Sequence, residues 1–471
     1  MSGGGLVALR APLDANTRRM LRGSLRALLD FQENLARWPR IDAAPDATPV
    51  VSLYADGRLL GCYANGEGRP GERLSRAFLL ALGDQRFGGI EPRARGRLVA
   101  QVAYPIGVRR VSLDAAPRVI APGAHGVALS SANALPALLV PEVAREHELD
   151  AYGFLRALEE KARSPREHWP QNGLWLYETE RVIARRGVPK ALAAEPGVGS
   201  AVKWLAERVA ASGAVAFGCD PRDERDAETG PMLHGRSAVV VQALAKHPSG
   251  RAALGRARRW LEREIRAGLG SKSPEGWPDD AAMVAGTLAL AKLAGLDVAA
   301  PLLDLARRGD VAKVPWHAAQ VVFALGADAP EKLWRACVRS LDREARAPWI
   351  ALAAAARGDA AVFERVALAL SAQVREHGPH RGGVGSGGVP ELALTAITIE
   401  ALASSSLDPV RRALRSARAF VRMHQIVGDE FPEASRPERL LGAFRSSPIH
   451  GFLRADVTAH AVLALGTEGR E

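Results

Sequence analysis

The strongest constraint on the fold is a repeated pattern in the second half of the chain. Five apolar helical runs end there in Ala-Leu, a shorter sixth run fits the gap between them, and more polar helices lie in between. The last residues of the six runs are Leu244, Leu290, Leu325, Ala356, Leu402 and Leu465. An apolar helix must be covered on both sides, whereas an amphipathic helix shows one face to water. The alternation therefore predicts two concentric layers of helices.

Six inner and outer pairs can close into a ring, so we expect an all-α (α/α)6 toroid over residues 201–471. The alternative is an open superhelix of the HEAT type, whose units usually repeat every ~40–47 residues and need capping ends. The intervals between the repeats are irregular, at 46, 35, 31, 46 and 63 residues, and Gly-rich loops precede apolar helices. Both features favour the closed ring.

The first part of the chain has a different pattern, in which helical and strand-like segments are mixed. A helical period covers residues 17–38, and a hairpin follows with Asp56-Gly57 as a strong turn signal. The runs GRLVAQVAYPIGVRRVSL and GLWLYETERVIAR are strand-like. We therefore predict an α+β domain over residues 1–186 and a linker at 187–200.

Composition limits the class of protein. The 471 residues carry 63 Lys and Arg against 52 Asp and Glu, a net charge of +11, and 47% of them are hydrophobic. These values are typical of a folded globular chain. Of the basic residues 55 are Arg, as in an Arg- and Ala-rich bacterial-like coding bias, and the net charge is +6 up to Arg186 and +5 after it. This even spread argues against a nucleic-acid partner, which usually requires a concentrated basic patch.

Neither a membrane nor an oxidising compartment is indicated. No stretch approaches the ~18 apolar residues of a membrane helix, and the first residues lack the apolar core of a signal peptide. We therefore expect a soluble, cytoplasmic protein with no membrane partner. Cys62, Cys219 and Cys337 show no CxxC spacing, which argues against a disulfide framework and a Cys-only zinc site.

The hairpin segment DGRLLGCYA carries a Gly61-Cys62 pair in its second strand-like run. This segment resembles the signature Leu-Arg-Gly-Cys-Ile-Gly of the AMMECR family. LGDQRFGGIEP, GRLVAQVAYPIGVRRV, PGAHGVAL, LLVPEVAREHELDAYGFLRAL and W…LYETERV follow in the family's order over about residues 10–185. The resemblance implies a two-part α+β fold and no settled biochemical activity. Leu60 replaces the signature Arg, so any role of that Arg in chemistry or anion binding is lost here.

The helical part resembles the α/α toroid of terpenoid cyclases and protein prenyltransferases over about residues 200–468. Segments such as GFLRADVTAHAVLAL carry this likeness. The cyclase Asp-x-Asp-Asp motif is missing, and Asp279-Asp280 is the nearest approach to it. Because one fold supports many functions, cyclase activity is not implied.

Cys62 and His125 are the candidate catalytic residues. Cys62 follows Gly61, where the absent side chain lets a ligand or turn approach, and His125 lies in a loop with two glycines. A thiolate nucleophile would need a base such as His125. The alternative is a small buried cysteine and a turn histidine. The accompanying binding candidates in this part are Gly61, Tyr63, Arg86, Gly126 and Glu142, although Asp84 and Arg86 also fit a helix cap with an ion pair.

A second set of polar candidates lies about ten positions before the ends of the apolar helices. Ten residues of helix bring these side chains to the same end of each inner helix, so in a ring they would surround one mouth. The set comprises His234, Asp280, His317, Glu391 and Asp456, and His460 lies one helical turn after Asp456. His and carboxylate groups bind zinc, but no ligand spacing supports a metal site, and no cofactor is predicted. Helix capping is the alternative for the acidic members.

Three classes of function stay open. In the first, Cys62 with His125 acts on a small substrate in an N-terminal cleft. In the second, the protein is a non-catalytic scaffold whose toroid binds a peptide or an apolar ligand. In the third, the toroid is the enzyme and the N-terminal domain recognises its substrate. We favour the first class, because signature residues outside apolar packing positions are found only in the N-terminal part.

Overall fold

The computed structural model describes most of the chain. The described residues are 6–31, 41, 44–88, 90, 94, 96–131, 134–171, 173–186, 193–222, 226–227, 233–270, 277–278, 280–308, 310–340, 348–385 and 388–467. We call residues 6–186 the N-terminal part and residues 193–467 the helical region. Residues 187–192 of the predicted linker lie outside the described residues, and the predicted division at 186 stays a prediction.

The N-terminal part is an α+β unit built on a curled sheet of six antiparallel strands. Their order is β2-β1-β3-β6-β4-β5. The strands are β1 (Val50–Ala55), β2 (Arg58–Ala64), β3 (Val99–Val111), β4 (Gly126–Ser131), β5 (Ala134–Leu139) and β6 (Leu174–Arg185). The helices are α1 (Ala15–Phe31), α2 (Pro70–Leu82), α3 (Ala116–Val119), α4 (Pro141–Glu146) and α5 (Ala151–Ala162).

The predicted hairpin is confirmed at β1 and β2. Asp56 and Gly57 both have positive φ, at 50° and 76°, and the strands pair from Val50 with Ala64 to Ala55 with Arg58. A two-residue turn with both φ values positive matches the right-handed twist of the strands it joins. Asp-Gly suits this turn because neither residue is strongly penalised there.

Two long strands join the two halves of the sheet. β3 and β6 pair along nearly their whole length and interrupt their register between Ile106 and Arg109. One half is covered by α1 and α2, whose buried residues Leu25 and Phe78 share a core with β1 and β3. The other half is covered by α3, α4 and α5, which share a second core with β4, β5 and β6. Each half of the sheet therefore has its own hydrophobic core beneath its helices.

Among its described residues the helical region has six weakly amphipathic, apolar helices and six more strongly amphipathic ones. After their predicted places in the ring, we call the first set the inner helices and the second set the outer helices. The inner helices are α7 (Leu233–Leu244), α9 (Ala281–Leu293), α11 (Pro315–Leu325), α13 (Pro348–Arg357), α15 (Leu392–Leu402) and α17 (Ala455–Leu465). The outer helices are α6 (Val198–Glu207), α8 (Arg251–Leu269), α10 (Ala299–Arg307), α12 (Glu331–Ser340), α14 (Ala360–Ser371) and α16 (Asp408–Met423). Three short strands, β7 (Gly218–Cys219), β8 (Asp226–Ala227) and β9 (Leu453–Arg454), form a small antiparallel sheet beside them.

The inner helices pack in chain order. Each inner helix contacts the next one in the order α7, α9, α11, α13, α15 and α17. The last of them, α17, also contacts the first, α7. Each inner helix also packs against an outer helix, and the whole assembly shares one hydrophobic core. Four of the six apolar runs end where a helix ends, at Leu244, Leu325, Leu402 and Leu465. The helices of the other two runs extend beyond Leu290 and Ala356, to Leu293 and Arg357. Among the described residues, none of the helices combines the length and the apolarity needed to cross a bilayer.

Candidate functional site

Strand β2 places Gly61 and Cys62 against helix α2. A Cβ on Gly61 would lie 1.9 Å from the carbonyl oxygen of Ala81, so the absent side chain permits close packing of α2 on the strand. Gly61 lies inside β2, and the group that approaches its backbone is a helix carbonyl. The close packing of α2 therefore explains the glycine at position 61 without any ligand.

Asp84 and Arg86 hold the backbone of Cys62 from both sides. The amide of Cys62 donates to Asp84 Oδ2 at 3.1 Å, and Arg86 Nη2 donates to the Cys62 carbonyl at 2.7 Å. Asp84 also accepts from the Arg86 amide at the start of a short 3-10 helix, and the two side chains form an ion pair at 2.6 Å. The predicted cap and ion pair are confirmed, and they fix the position of β2.

Cys62 is half-buried and packs against an apolar cluster that includes Val50, Ala103 and Tyr177. Ser52 Oγ donates to its Sγ at 3.4 Å. Burial raises the pKa of the thiol above its ordinary value, although Lys161 and Arg86 act in the opposite direction. A raised pKa keeps the group as a thiol at neutral pH, whereas a nucleophilic cysteine needs thiolate.

His125 occupies a separate buried position before β4. Its Nδ1 accepts from the amide of Ala121 at 3.0 Å, and burial together with repulsion from Arg109 lowers its pKa to about 4. Among the described residues, the interactions of Cys62 and of His125 do not include each other. The structure therefore does not bring the predicted pair together, and the catalytic pair stays a prediction.

The other N-terminal candidates have packing or ion-pair roles. A Cβ on Gly126 would lie 2.4 Å from the ring of Tyr177, so this glycine makes room for that side chain. Glu142 is buried and forms an ion pair with Arg181 at 3.0 Å. Tyr63 is half-buried beside the core that α1 and α2 cover.

Sequence reasoning missed a cavity at the junction of the two parts of the chain. This junction cavity has a volume of about 420 Å³. Its lining includes Arg145 and Glu146 of α4, together with Asp220, Arg222 and Glu433 of the helical region. Arg222 Nη2 donates to the Glu146 carbonyl at 3.0 Å and joins the two parts at this point. Nothing in the local sequence relates residues this far apart along the chain.

Glu146 is the most perturbed carboxylate in the junction cavity. Tyr54 donates from its hydroxyl to Glu146 Oε1 at 2.9 Å. Burial and repulsion from Glu433 raise the pKa of Glu146 to about 7, which the Tyr54 hydrogen bond and Arg145 only partly offset. A carboxyl group with a pKa near 7 can both accept and donate a proton at neutral pH.

The acidic candidates of the helical region have structural partners or lie exposed. Asp280 caps α9, because its Oδ1 accepts from the amides of Ala282 and Met283 at 2.8 and 3.0 Å. Asp456 forms ion pairs with Arg454 at 2.6 Å and Arg236 at 3.5 Å. Glu391 is exposed at the start of α15 and makes no side-chain cap.

The histidine candidates lie in three different surroundings. His234 stacks on Trp260, with ring centroids 5.7 Å apart, and its Nε2 is 3.7 Å from Glu264 of α8. His317 lies 3.0 Å from Gln320 within its own helix. No group of three or more metal-ligating side chains is found among the described residues.

His460 belongs to a mixed cluster on the inner helices. Its Nδ1 lies 3.4 Å from Glu400 of α15, and its ring meets the edge of Trp349, with centroids 6.3 Å apart. Trp349 in turn lies 6.3 Å from the ring of Phe323. Trp349 is on α13 and His460 is on α17, so this contact joins two inner helices that are separated by α15 in the packing order.

Comparisons with known proteins agree with the resemblance of the N-terminal part. Residues 34–182 match the family model AMMECR1. Protein TV1384 of Thermoplasma volcanium is 28% identical over 142 residues, which cover 28% of this chain and 65% of that protein. The match thus spans slightly less than two thirds of the relative's length. An AMMECR1 domain at residues 34–182 is therefore supported.

Two solved structures are also similar to parts of the chain. One is an uncharacterised protein, PH0010, from Pyrococcus horikoshii, with 20% identity, a TM-score of 0.31, and coverage of 36% of this chain and 92% of that one. The other is a sugar epimerase from a ruminal bacterium, with 12% identity, a TM-score of 0.40, and coverage of 57% of this chain and 96% of that one. The predicted likeness of the helical region to terpenoid cyclases stays a prediction. The chain has an AMMECR1 domain at residues 34–182, and a helix-rich region follows it.

Proposed function

We propose that the junction cavity binds a small polar molecule and that Glu146 exchanges a proton with it. The observation that carries this proposal is the Tyr54–Glu146 hydrogen bond, 2.9 Å long, at a cavity whose charged lining comes from both parts of the chain. A cavity of about 420 Å³ is within the usual range for small-molecule sites.

The chemistry of the lining limits the ligand. Arg145 and Arg222 supply hydrogen-bond donors, and Asp220 and Glu433 supply acceptors. A ligand with both donor and acceptor groups therefore fits better than an apolar one. Glu146 would act as the general acid or base, since its pKa of about 7 matches neutral conditions. Perturbed carboxylates in clefts are common at active sites.

The thiol-dependent version of this proposal assigns the chemistry to Cys62. Its support is proximity, because Cys62 and Glu146 both act electrostatically on Tyr54. The raised pKa of the buried thiol favours Glu146 over Cys62 as the reactive group. We therefore assign the proton transfer to Glu146 and keep the pairing of Cys62 with His125 as a prediction.

For the helical region we propose the (α/α)6 toroid expected from the repeats. Support comes from the contact between α7 and α17, the first and last inner helices, which an open superhelix would lack. A second candidate function follows from the same proposal, namely binding of a peptide or apolar ligand inside the ring. Trp349 and Phe323, which are only partly buried, favour this alternative. A toroid-borne reaction would rely on His460 and Glu400.

We also keep the cytoplasmic location and the absence of a nucleic-acid partner as proposals.

A thermal-shift screen with small polar metabolites tests these functions against each other. We compare the wild-type protein with Glu146→Gln, with Trp349→Ala, and with Glu364→Gln as the control, since Glu364 is exposed on α14. A ligand of the junction cavity should stabilise every variant except Glu146→Gln, and any turnover of it detected by NMR should stop in that variant. A ligand whose effect persists in Glu146→Gln but disappears in Trp349→Ala would replace this proposal with the toroid alternative.

A further inference from the structure

We propose that a second cleft in the molecule binds a small molecule that carries a phosphate group. The cleft lies between α1, β6 and residues 427–430 of the helical region, and its volume is about 400 Å³. Five arginines line it, namely Arg18, Arg22, Arg26, Arg181 and Arg185. We call it the arginine cleft. It shares no lining residue with the junction cavity.

Helix α1 presents three of its four arginines to the cleft at four-residue intervals, which places Arg18, Arg22 and Arg26 on one helical face. Main-chain carbonyls of β6 orient two of them. Arg18 Nη1 donates to the carbonyl of Arg181, and Arg22 Nε donates to that of Ile183, both at 3.2 Å. The guanidinium groups are therefore fixed in position before any ligand arrives, which lowers the entropy cost of binding.

The carboxylates of the arginine cleft already have cationic partners. Asp429 is bound at two points by Arg185, at 2.7 and 2.8 Å. Glu430 forms an ion pair at 2.6 Å with Arg445, which lies outside the cleft lining. Glu180 forms an ion pair with Arg18. Arg181 is paired as well, with the buried Glu142 at 3.0 Å. Arg22 differs from these arginines, because it donates to a main-chain carbonyl and is in no ion pair among the described residues.

The charged form of Arg22 is destabilised by its surroundings in the cleft. Burial lowers the pKa of its guanidinium, and repulsion from Arg26 and Arg18 lowers it further, whereas only Asp429 opposes this effect. A bound anion would relieve the repulsion. A phosphate monoester has close to two negative charges at neutral pH and would place an opposite charge beside Arg22. Guanidinium groups bind its oxygens through paired hydrogen bonds.

The size of the cleft favours a phosphate ester over free phosphate. A single tetrahedral anion fills only part of 400 Å³, so the remaining space is available to a small organic group. The lining combines α1 and β6 of the N-terminal part with residues of the helical region. Binding should therefore also stabilise the contact between the two parts.

Isothermal titration calorimetry with glycerol phosphate tests the proposal on the full-length protein, with inorganic phosphate as a second probe and ionic strength held constant with chloride. Arg22→Ala should weaken binding by about tenfold to a hundredfold, as expected for loss of a charge-assisted hydrogen bond. Arg19→Ala is the matched control, because Arg19 is exposed on the same helix and bonds only to Asn16 among the described residues. It should bind like the wild type.

Arg22→Lys provides a second variant that keeps the charge and should fold if Arg22→Ala does not. It should still weaken binding, because an ammonium cannot form the paired hydrogen bonds. The proposal is overturned if neither probe binds the wild-type protein at millimolar concentration, or if Arg19→Ala and the Arg22 variants lose affinity equally. Equal loss would mean that the anion responds only to the general charge of α1.

Discussion

Arg185 of β6 and Asp429 of the helical region form a two-point ion pair across the junction of the two parts. Arg185 Nε lies 2.7 Å from Asp429 Oδ2, and Nη2 lies 2.8 Å from Oδ1. The same guanidinium donates to the carbonyls of Ala434 and Phe431 at 2.6 and 2.8 Å. Arg185 is only 8% exposed, so one side chain satisfies four acceptors in a buried junction.

Replacement of Arg185 by Ala should destabilise the protein strongly. It leaves the Asp429 carboxylate and two carbonyls without their donor, and removal of one member of a buried ion pair typically costs about 3–5 kcal/mol. Urea denaturation measures the effect. Arg156→Ala is the control, because its ion pair with Glu160 is 3.6 Å long and the two side chains are 79% and 72% exposed. The control should cost less than about 1 kcal/mol. Equal effects of the two variants would contradict the assignment of Arg185 to the junction.

Local patterns in the sequence were sufficient to predict some elements of the fold. The Asp56-Gly57 turn and the ends of four inner helices follow from residue types at fixed spacing, which are short-range properties of the chain. The Asp84–Arg86 cap and ion pair follow from the same kind of signal. These features depend on neighbours within a few positions, so no knowledge of tertiary packing is needed.

The junction cavity and its perturbed carboxylate could not be predicted from such local patterns. Glu146 receives its raised pKa from burial and from Glu433, a residue of the other part of the chain, and Arg222 completes the cavity from a third segment. Only the docking of the two parts creates this neighbourhood. The same limit applies to Gly61, since the group that requires a glycine there is the Ala81 carbonyl of the next helix.

The raised pKa of Glu146 predicts that the protein loses stability as the pH rises. The group binds a proton up to about pH 7 in the folded state, whereas its ordinary pKa is 4.5. Between these values the native state holds more protons than the unfolded state, so the free energy of unfolding falls with increasing pH. Above pH 7 the buried carboxylate exerts its full destabilising effect beside Glu433 and Glu142, which Arg145 and the Tyr54 hydrogen bond only partly offset.

Glu146→Gln removes this titration and keeps an oxygen that accepts from Tyr54. We expect the variant to match the wild-type protein in urea midpoint at pH 5 and to exceed it at pH 8. Glu364→Gln on the exposed face of α14 should follow the wild type at both pH values. A Glu146→Gln protein that is less stable than the wild type by the same amount at both pH values would show that Glu146 does not titrate in this range.

Cys62 should react slowly with iodoacetamide in the native protein. Burial raises the pKa of its thiol, and burial also raises the pKa of Cys337 to about 12, so thiolate is scarce at both positions at pH 7. Mass spectrometry of each cysteine over time gives the rates, and a sample in urea gives the rates of the unprotected thiols. Alkylation of Cys62 much faster than that of Cys219 and Cys337 at pH 7 would instead support the thiol-dependent enzyme.

Two glycine substitutions should have opposite effects on stability. Gly61→Ala places a Cβ 1.9 Å from the Ala81 carbonyl, so α2 must move away from β2, at a typical cost of about 1–3 kcal/mol. Gly23→Ala lies in the middle of α1, where a Cβ meets nothing within 4 Å, and should stabilise by about 0.5–1 kcal/mol through higher helix propensity. Urea midpoints of both variants test the packing. A Gly61→Ala protein with unchanged stability would contradict the close packing of α2 on Gly61 and would favour access of a ligand to this backbone.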